Sequence, residues 1–97
     1  MIFDNRLSNI FYPANPKEIT VLTTHVEFAA TTSMYLTLHS AISAYYAIGA
    51  TATADGNQSH YIGPYCAIDL YVPSGSIISM ISADGVSTGK ARITEWI

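Results

Sequence analysis

Apolar and polar residues alternate along much of this chain, and the alternation predicts β-strands. The clearest case lies between residues 32 and 40, where Met34, Leu36 and Leu38 are separated by polar or aromatic side chains. A period of two places these three side chains on one face of a strand, with Thr37 and His39 on the other. We therefore predict a strand here with one buried face.

The same reasoning applied to the whole chain predicts seven or eight short strands. Residues 40–47 have some helix propensity, but eight residues is short for a helix, so we assign them to strand and loop. Asp84-Gly85 is a typical hairpin signal and predicts that the strands on either side of it pair. The predicted fold is all-β: a single small antiparallel β-sandwich or jelly-roll-like domain. The predicted strands are residues 19–29, 32–40, 44–49, 59–62, 66–72, 76–82 and 89–96.

The first sixteen residues lack a regular period and end with Pro13 and Pro16. Two prolines three positions apart exclude a helix and a central strand. We predict an extended N-terminal arm over residues 1–16 and a sandwich domain over residues 17–97. The arm either lies across a neighbouring subunit or closes one side of the sandwich. Its candidate interface residues are Ile2, Phe3, Leu7, Ile10, Phe11 and Tyr12.

Composition narrows the classes of partner. Only 11% of the 97 residues are charged while 49% are hydrophobic, which favours a protein packed against neighbours. The net charge of −3 and the scattered cations argue against nucleic acid and against an anionic membrane. Apolar runs are too short to span a bilayer, and residues 1–6 do not resemble a signal peptide. We expect no nucleic-acid or membrane partner and no export by a signal peptide.

Motifs that resemble chemical sites are incomplete. The stretch from Gly85 to Ala91 looks like a phosphate-binding loop, but its spacing is one residue short and Ala91 replaces the magnesium-binding hydroxyl. The stretch that begins at Asp55 starts like a calcium loop and has Cys66 where a carboxylate is required. Both stretches are better explained as turns, so neither predicts a bound phosphate or calcium ion.

The remaining candidates for chemistry are dispersed. His25, His39 and His60 have no zinc-type spacing, and Cys66 is predicted to be a small core residue. The acids do not cluster; Asp69 lies within an apolar strand, points outward, and has Arg92 as a conceivable partner in this or a neighbouring subunit. We expect no catalytic residue, no metal and no cofactor, and hence a protein that is not an enzyme.

The seven tyrosines provide the strongest candidate binding surface. Exposed tyrosine gives a large contact area at a small entropic cost and also stacks on sugar rings. The candidate platform for a glycan or a protein partner consists of His60, Tyr61, Tyr65 and Tyr71. The alternative is that these are ordinary aromatic residues of strand edges.

Residues 31–95 resemble a group of small phage virion proteins. The stretches that carry the resemblance are TTSMYLTL at residues 31–38, YYAIGATATADGNQSHYIGP at 45–64, IDLYVPSGSIISMIS at 68–82 and STGKARITE at 87–95. The resemblance implies a β-sandwich virion structural protein, with a capsid decoration or cement role preferred over a collar or tail position. It also implies the major capsid protein or other virion proteins as partners, and a homo-oligomer, preferably a trimer. A carbohydrate-binding module of a tail or fibre is the alternative.

Overall fold

The computed structural model describes residues 13–55 and 59–97, and these residues form eight β-strands and no helix. The strands are β1 (Pro13–Val21), β2 (Val26–Glu27), β3 (Tyr35–Ser40), β4 (Ala44–Gly49), β5 (His60–Ile62), β6 (Cys66–Tyr71), β7 (Ile77–Ser82) and β8 (Gly89–Trp96). None of the described segments is a helix of the length and hydrophobicity needed to cross a bilayer.

The strands form two four-stranded antiparallel sheets, which we call sheet A (β1-β8-β3-β6) and sheet B (β2-β7-β4-β5). Apart from the β4–β5 pair, consecutive strands lie in different sheets. This is the strand order of an eight-stranded jelly roll made of two Greek keys. The prediction of a small antiparallel β-sandwich of jelly-roll type is confirmed.

The core lies between the two sheets and is filled by the inward-facing side chain of every second residue. Leu36, Leu38 and Ile93 of sheet A and Ile78 and Met80 of sheet B have no exposed surface. The partly exposed Ile19, Ile42, Ile48, Ile68 and Leu70 pack around this core. Since the inner faces interdigitate, the outer faces and the sheet edges are the surfaces left for a ligand or partner.

The sandwich begins earlier in the chain than predicted. Pro13 and Pro16 belong to β1, so the boundary predicted after residue 16 is wrong. β1 pairs only with β8 and is an edge strand of sheet A, which is the position where a missing backbone N–H is tolerated. Asn15, in the left-handed conformation with φ 50°, marks the register shift between these prolines. Residues 1–12, which carry all the candidate interface residues of the arm, lie outside the described residues.

Two predicted strand assignments also need correction. The predicted strand 19–29 is two strands, because the chain turns after Val21 and continues into sheet B at Val26. The Asp84-Gly85 turn does not join a hairpin, since β7 belongs to sheet B and β8 to sheet A. Gly85 has the expected positive φ of 74°, but a turn's local conformation does not determine which strands pair.

Candidate functional site

The predicted aromatic platform is divided between two places. His60 and Tyr61 lie on β5 at the edge of sheet B, and Tyr65 lies in the connection to β6. Tyr71 lies at the other end of β6, six residues beyond Tyr65, which is ~20 Å along an extended chain. All four side chains are exposed, but Tyr71 lies on sheet A, apart from His60 and Tyr61 on sheet B.

The first surface, which we call the β5 corner, comprises the packed pair Tyr45 and Tyr61 and the connection after β5, which carries Tyr65. The rings of Tyr45 and Tyr61 meet edge to face with centroids 6.0 Å apart, and the Tyr61 hydroxyl donates to Ser43 Oγ over 3.1 Å. Tyr65 is 80% exposed and has a φ of 54°, a conformation rare for a bulky residue. The corner therefore presents two aromatic rings to solvent, Tyr61 being 58% exposed.

The inner side of the same edge is aromatic as well. Tyr46 lies opposite His60 on β5, with ring centroids 5.4 Å apart. Tyr46 points into the sandwich, and its burial raises the pKa of its hydroxyl. The Tyr46 ring packs against His60 on the inner side of this edge, and His60 itself remains exposed.

The second surface is the outer face of sheet A, and its aromatic end combines Tyr35, Tyr71 and Trp96. Tyr35 lies directly opposite Tyr71, with ring centroids 6.4 Å apart at an angle of 61°. Trp96 Nε1–H donates to Thr37 Oγ1 over 2.9 Å, and that hydroxyl donates to Asp69 Oδ1 over 2.6 Å. The hydrogen bonds join β8, β3 and β6 and hold polar groups next to exposed rings.

The opposite end of this face is cationic. Arg92 lies across from His39, and both line an open depression of about 410 Å³ together with Ala41 and Lys90. Glu18 of β1 partly neutralises this end through Arg92 Nε at 2.9 Å and Lys90 Nζ at 3.6 Å. These three charged side chains leave a local excess of one positive charge.

Within this chain, Asp69 does not form the ion pair with Arg92 that the sequence left open. Its carboxylate accepts the Thr37 hydroxyl, and Arg92 pairs with Glu18. The reason is strand order: β3 lies between β6 and β8, which separates the two side chains by two strand spacings, about 10 Å. The predicted outward orientation of Asp69 beside Tyr71 is confirmed.

The most strongly perturbed buried acid is Glu95, which has no exposed side-chain surface. Burial opposes its ionisation, but Lys17 Nζ at 2.9 Å, the amides of Ser33 and Thr32 and the Thr32 hydroxyl outweigh burial and lower its pKa to about 2. Lys17 also donates to the Ala30 carbonyl. The group fastens the β2–β3 connection to sheet A and is closed to ligands, so its role is structural.

In the segment that resembles a phosphate loop, the carboxylate of Asp84 accepts the hydrogen bonds of the backbone amides. Asp84 Oδ1 accepts the amides of Val86 and Ser87 at 2.8 and 2.7 Å, and Oδ2 accepts the Ser87 hydroxyl. The Ser87 hydroxyl and amide, with help from Val86 and Ser82, hold the pKa of Asp84 well below its usual range. Backbone amides that bind phosphate in such loops are thus already satisfied by Asp84.

The histidines and the cysteine are not gathered into a metal site. Within residues 13–55 and 59–97, no three His, Cys, Asp or Glu side chains are arranged to hold a metal ion. His25 lies in the connection before β2, while His39 and His60 lie in different sheets. The prediction of Cys66 as a core residue is wrong: it begins the edge strand β6 and is exposed. Edge position outweighs the alternation that pointed it inward.

Comparison with known proteins supports the fold and goes no further. No family model matches the sequence, and no curated protein matches it either. A de novo designed double-stranded β-helix, solved by NMR, is 10% identical with a TM-score of 0.58, covering 87% of this chain and all of the designed one. The crystal structure of Fe(II) HppE in complex with its substrate is 9% identical with a TM-score of 0.55; the match covers 90% of this chain but about half (53%) of that protein.

The sequence alone did not indicate that Tyr35 lies beside Tyr71, or that Trp96 lies on the other side of Tyr35. The sequence does indicate the face on which each side chain lies. With a period of two, Trp96 lies on the same face as Lys90 and Arg92, and Tyr35 lies on the same face as Thr37 and His39. Parity gives the face of each strand but not which strands are adjacent. The order β8-β3-β6 joins the three aromatic residues, and it is set by long-range pairing.

Proposed function

We propose that this protein is a virion structural subunit, preferably a capsid decoration or cement protein, that acts by packing against neighbouring subunits. The observation that carries the proposal is the exposed aromatic surface of the β5 corner, where Tyr61 and Tyr65 stand 58% and 80% exposed above a filled core. Exposed tyrosines are enriched at protein interfaces. The resemblance of residues 31–95 to phage virion proteins and the low charge content support the same function.

The fold is compatible with this function but does not select it. Jelly rolls occur in viral capsid domains, and also in lectins and in the cupin enzymes. What favours assembly here is the surface: few charges to repel a neighbour and aromatic rings on an exposed sheet edge. Burying Tyr61 and Tyr65 against another subunit would remove from water a large apolar area at little loss of side-chain entropy.

Light scattering after size exclusion tests the self-association of the full chain. We expect a trimer or larger ring that the double variant Tyr61→Ser/Tyr65→Ser shifts to monomer. Ile97→Ser is the matched control, since Ile97 is 58% exposed, as Tyr61 is, but follows β8 at the end of sheet A that carries Tyr35 and Tyr71, and it should leave the mass unchanged. A wild-type monomer at every soluble concentration contradicts self-association. Absence of the chain from gradient-purified phage particles contradicts the virion role.

The second candidate function is carbohydrate binding, and the outer face of sheet A favours it. Sugars expose apolar C–H faces next to hydroxyls, and the aromatic end supplies rings at Tyr35, Tyr71 and Trp96 beside the carboxylate of Asp69. An oligosaccharide panel tests this function by the fluorescence of Trp96, which is the only tryptophan in the chain. Saturable binding that Tyr71→Ala weakens supports it; no response to any glycan contradicts it.

A further inference from the structure

The outer face of sheet A changes character along its length. Lys90, Arg92, Thr94 and Trp96 follow one another on the outward side of β8. On the neighbouring β3, His39 lies opposite Arg92 and Thr37 lies opposite Thr94. The face therefore has a cationic end, a middle of two threonines and an aromatic end. Arg92 and Trp96 are four residues apart, which is ~13 Å on a strand and within the span of a short oligosaccharide.

We propose that this face binds an acidic oligosaccharide, with the anionic group at Arg92 and a sugar ring on the aromatic end, where Tyr35 lies between Tyr71 and Trp96. The proposal rests on the carbohydrate-binding candidate and adds the chemical class of the ligand. A carboxylate or sulfate on the sugar is the group that complements the cationic end. Arg92 and Lys90 are 69% and 62% exposed, so both are accessible to it.

The available donors fit this ligand. In the described residues the bond of Arg92 to Glu18 uses Nε, and the terminal guanidinium nitrogens have no hydrogen bond there. Those nitrogens can donate to a carboxylate or sulfate in a fork geometry. Lys90 donates to Thr20 Oγ1 and lies farther from Glu18, at 3.6 Å. Glu18 therefore holds the cations in place without cancelling both charges.

The negative charges on this face give the ligand a direction. Asp69 lies in the middle row, bound to Thr37 and next to the aromatic end, and Glu18 lies at the edge of sheet A beside the cations. An anionic group on the ligand is repelled by Asp69 and attracted by the excess positive charge at Arg92 and Lys90. Asp69 can still accept a sugar hydroxyl. The charge arrangement thus places the acidic substituent at one end and the stacked ring at the other.

The test compares glycans in matched pairs that differ in one kind of acidic group: trigalacturonate with its methyl ester, 3′-sialyllactose with its methyl ester, and a sulfated with an unsulfated oligosaccharide. Titration of the full chain, followed by Trp96 fluorescence, gives the affinity of each. We expect at least one acidic member to bind about ten-fold or more tightly than its neutral partner. This preference should weaken as salt is added.

Three exposed variants locate the two ends. Arg92→Gln should remove the preference for the acidic member while leaving binding of the neutral one unchanged. Glu18→Gln should strengthen acidic binding, because it removes the competing carboxylate. Tyr71→Ala should weaken both members of a pair, and it leaves the fluorescent Trp96 in place.

The outcomes separate this proposal from the one on which it rests. Neutral and acidic glycans binding equally, or an acidic preference that survives Arg92→Gln, overturns the acidic-ligand assignment and leaves carbohydrate binding intact. No binding to any glycan overturns both. Unfolding curves that coincide for the wild type and the three variants exclude misfolding as the cause of a loss.

Discussion

Replacement of Glu95 by glutamine is the sharpest test of how this fold is held together. The carboxylate is fully buried and takes hydrogen bonds from Lys17, Thr32 and Ser33. These bonds lower its pKa from an ordinary 4.5 to about 2. At ~1.4 kcal/mol for each pKa unit, the ionised form contributes about 3 kcal/mol to the free energy of unfolding.

The sign of the pH dependence follows from the direction of the shift. Because the pKa is lower in the folded than in the unfolded state, the contribution is complete above pH ~4.5 and disappears as the pH falls toward 2. Glu95→Gln keeps the shape of the side chain but removes its charge. We expect it to lower the free energy of unfolding by about 3 kcal/mol at pH 7, and the melting temperature by about 10 °C or more. Near pH 2 the variant and the wild type should differ little.

Urea unfolding at a series of pH values from 7 to 2 measures this directly. Lys17→Met and the double variant with Glu95→Gln complete a cycle that isolates the pair energy. Asp84 also has a lowered pKa, so Asp84→Asn is needed to assign the remaining acid dependence to the exposed turn. If Glu95→Gln loses stability toward acid as steeply as the wild type, the burial and pairing argued for Glu95 is wrong.

Three further predictions concern the packing at Gly89, the exposure of Cys66 and the role of residues 1–12. Gly89→Ala should cost about 1–3 kcal/mol in unfolding free energy, because its Cβ would lie 2.6 Å from Ile42 Cγ2, whereas Thr88→Ala on the exposed connection should cost little. Cys66 should react with a thiol reagent in the native protein as fast as in urea, and slow labelling would contradict its exposure. Deletion of residues 1–12 should weaken self-association yet leave a cooperative unfolding transition; an unfolded truncated chain would show that these residues belong to the core.

The sequence predicted strands well where alternation is strong and the strand has two neighbours. β3 and β8 are examples: Leu36, Leu38, Ala91 and Ile93 all point inward as a period of two requires, and both strands are central in sheet A. Prediction was poorer at the edges. Cys66 has the parity of a core residue but belongs to an edge strand that has a neighbour on one side only, which leaves it exposed. Parity states a direction, and burial also requires a neighbouring layer.

Glu95 shows that alternation also fails to identify the partner of a buried residue. It has the inward parity of Ala91 and Ile93, so alternation alone places a charge in the interior, and an interior charge requires a partner. The partner, Lys17, is 78 residues away in sequence and is brought near by the β1–β8 pairing. No local pattern in the sequence contains that pairing.

The candidate binding faces depend on long-range pairing in the same way. In a jelly roll most consecutive strands lie in opposite sheets, so residues close in sequence often separate, as Tyr61 on β5 and Tyr71 on β6 do. Residues far apart in sequence then meet, as Tyr35 meets Tyr71 across the β3–β6 ladder. A platform inferred from a cluster of tyrosines in sequence is therefore divided by this topology. The two surfaces that result differ in chemistry: the β5 corner is aromatic, whereas the outer face of sheet A combines rings with charge. From that difference we propose a neighbouring subunit as the partner of the first and a charged, hydroxylated ligand for the second, and we expect substitutions in one surface to leave binding at the other intact.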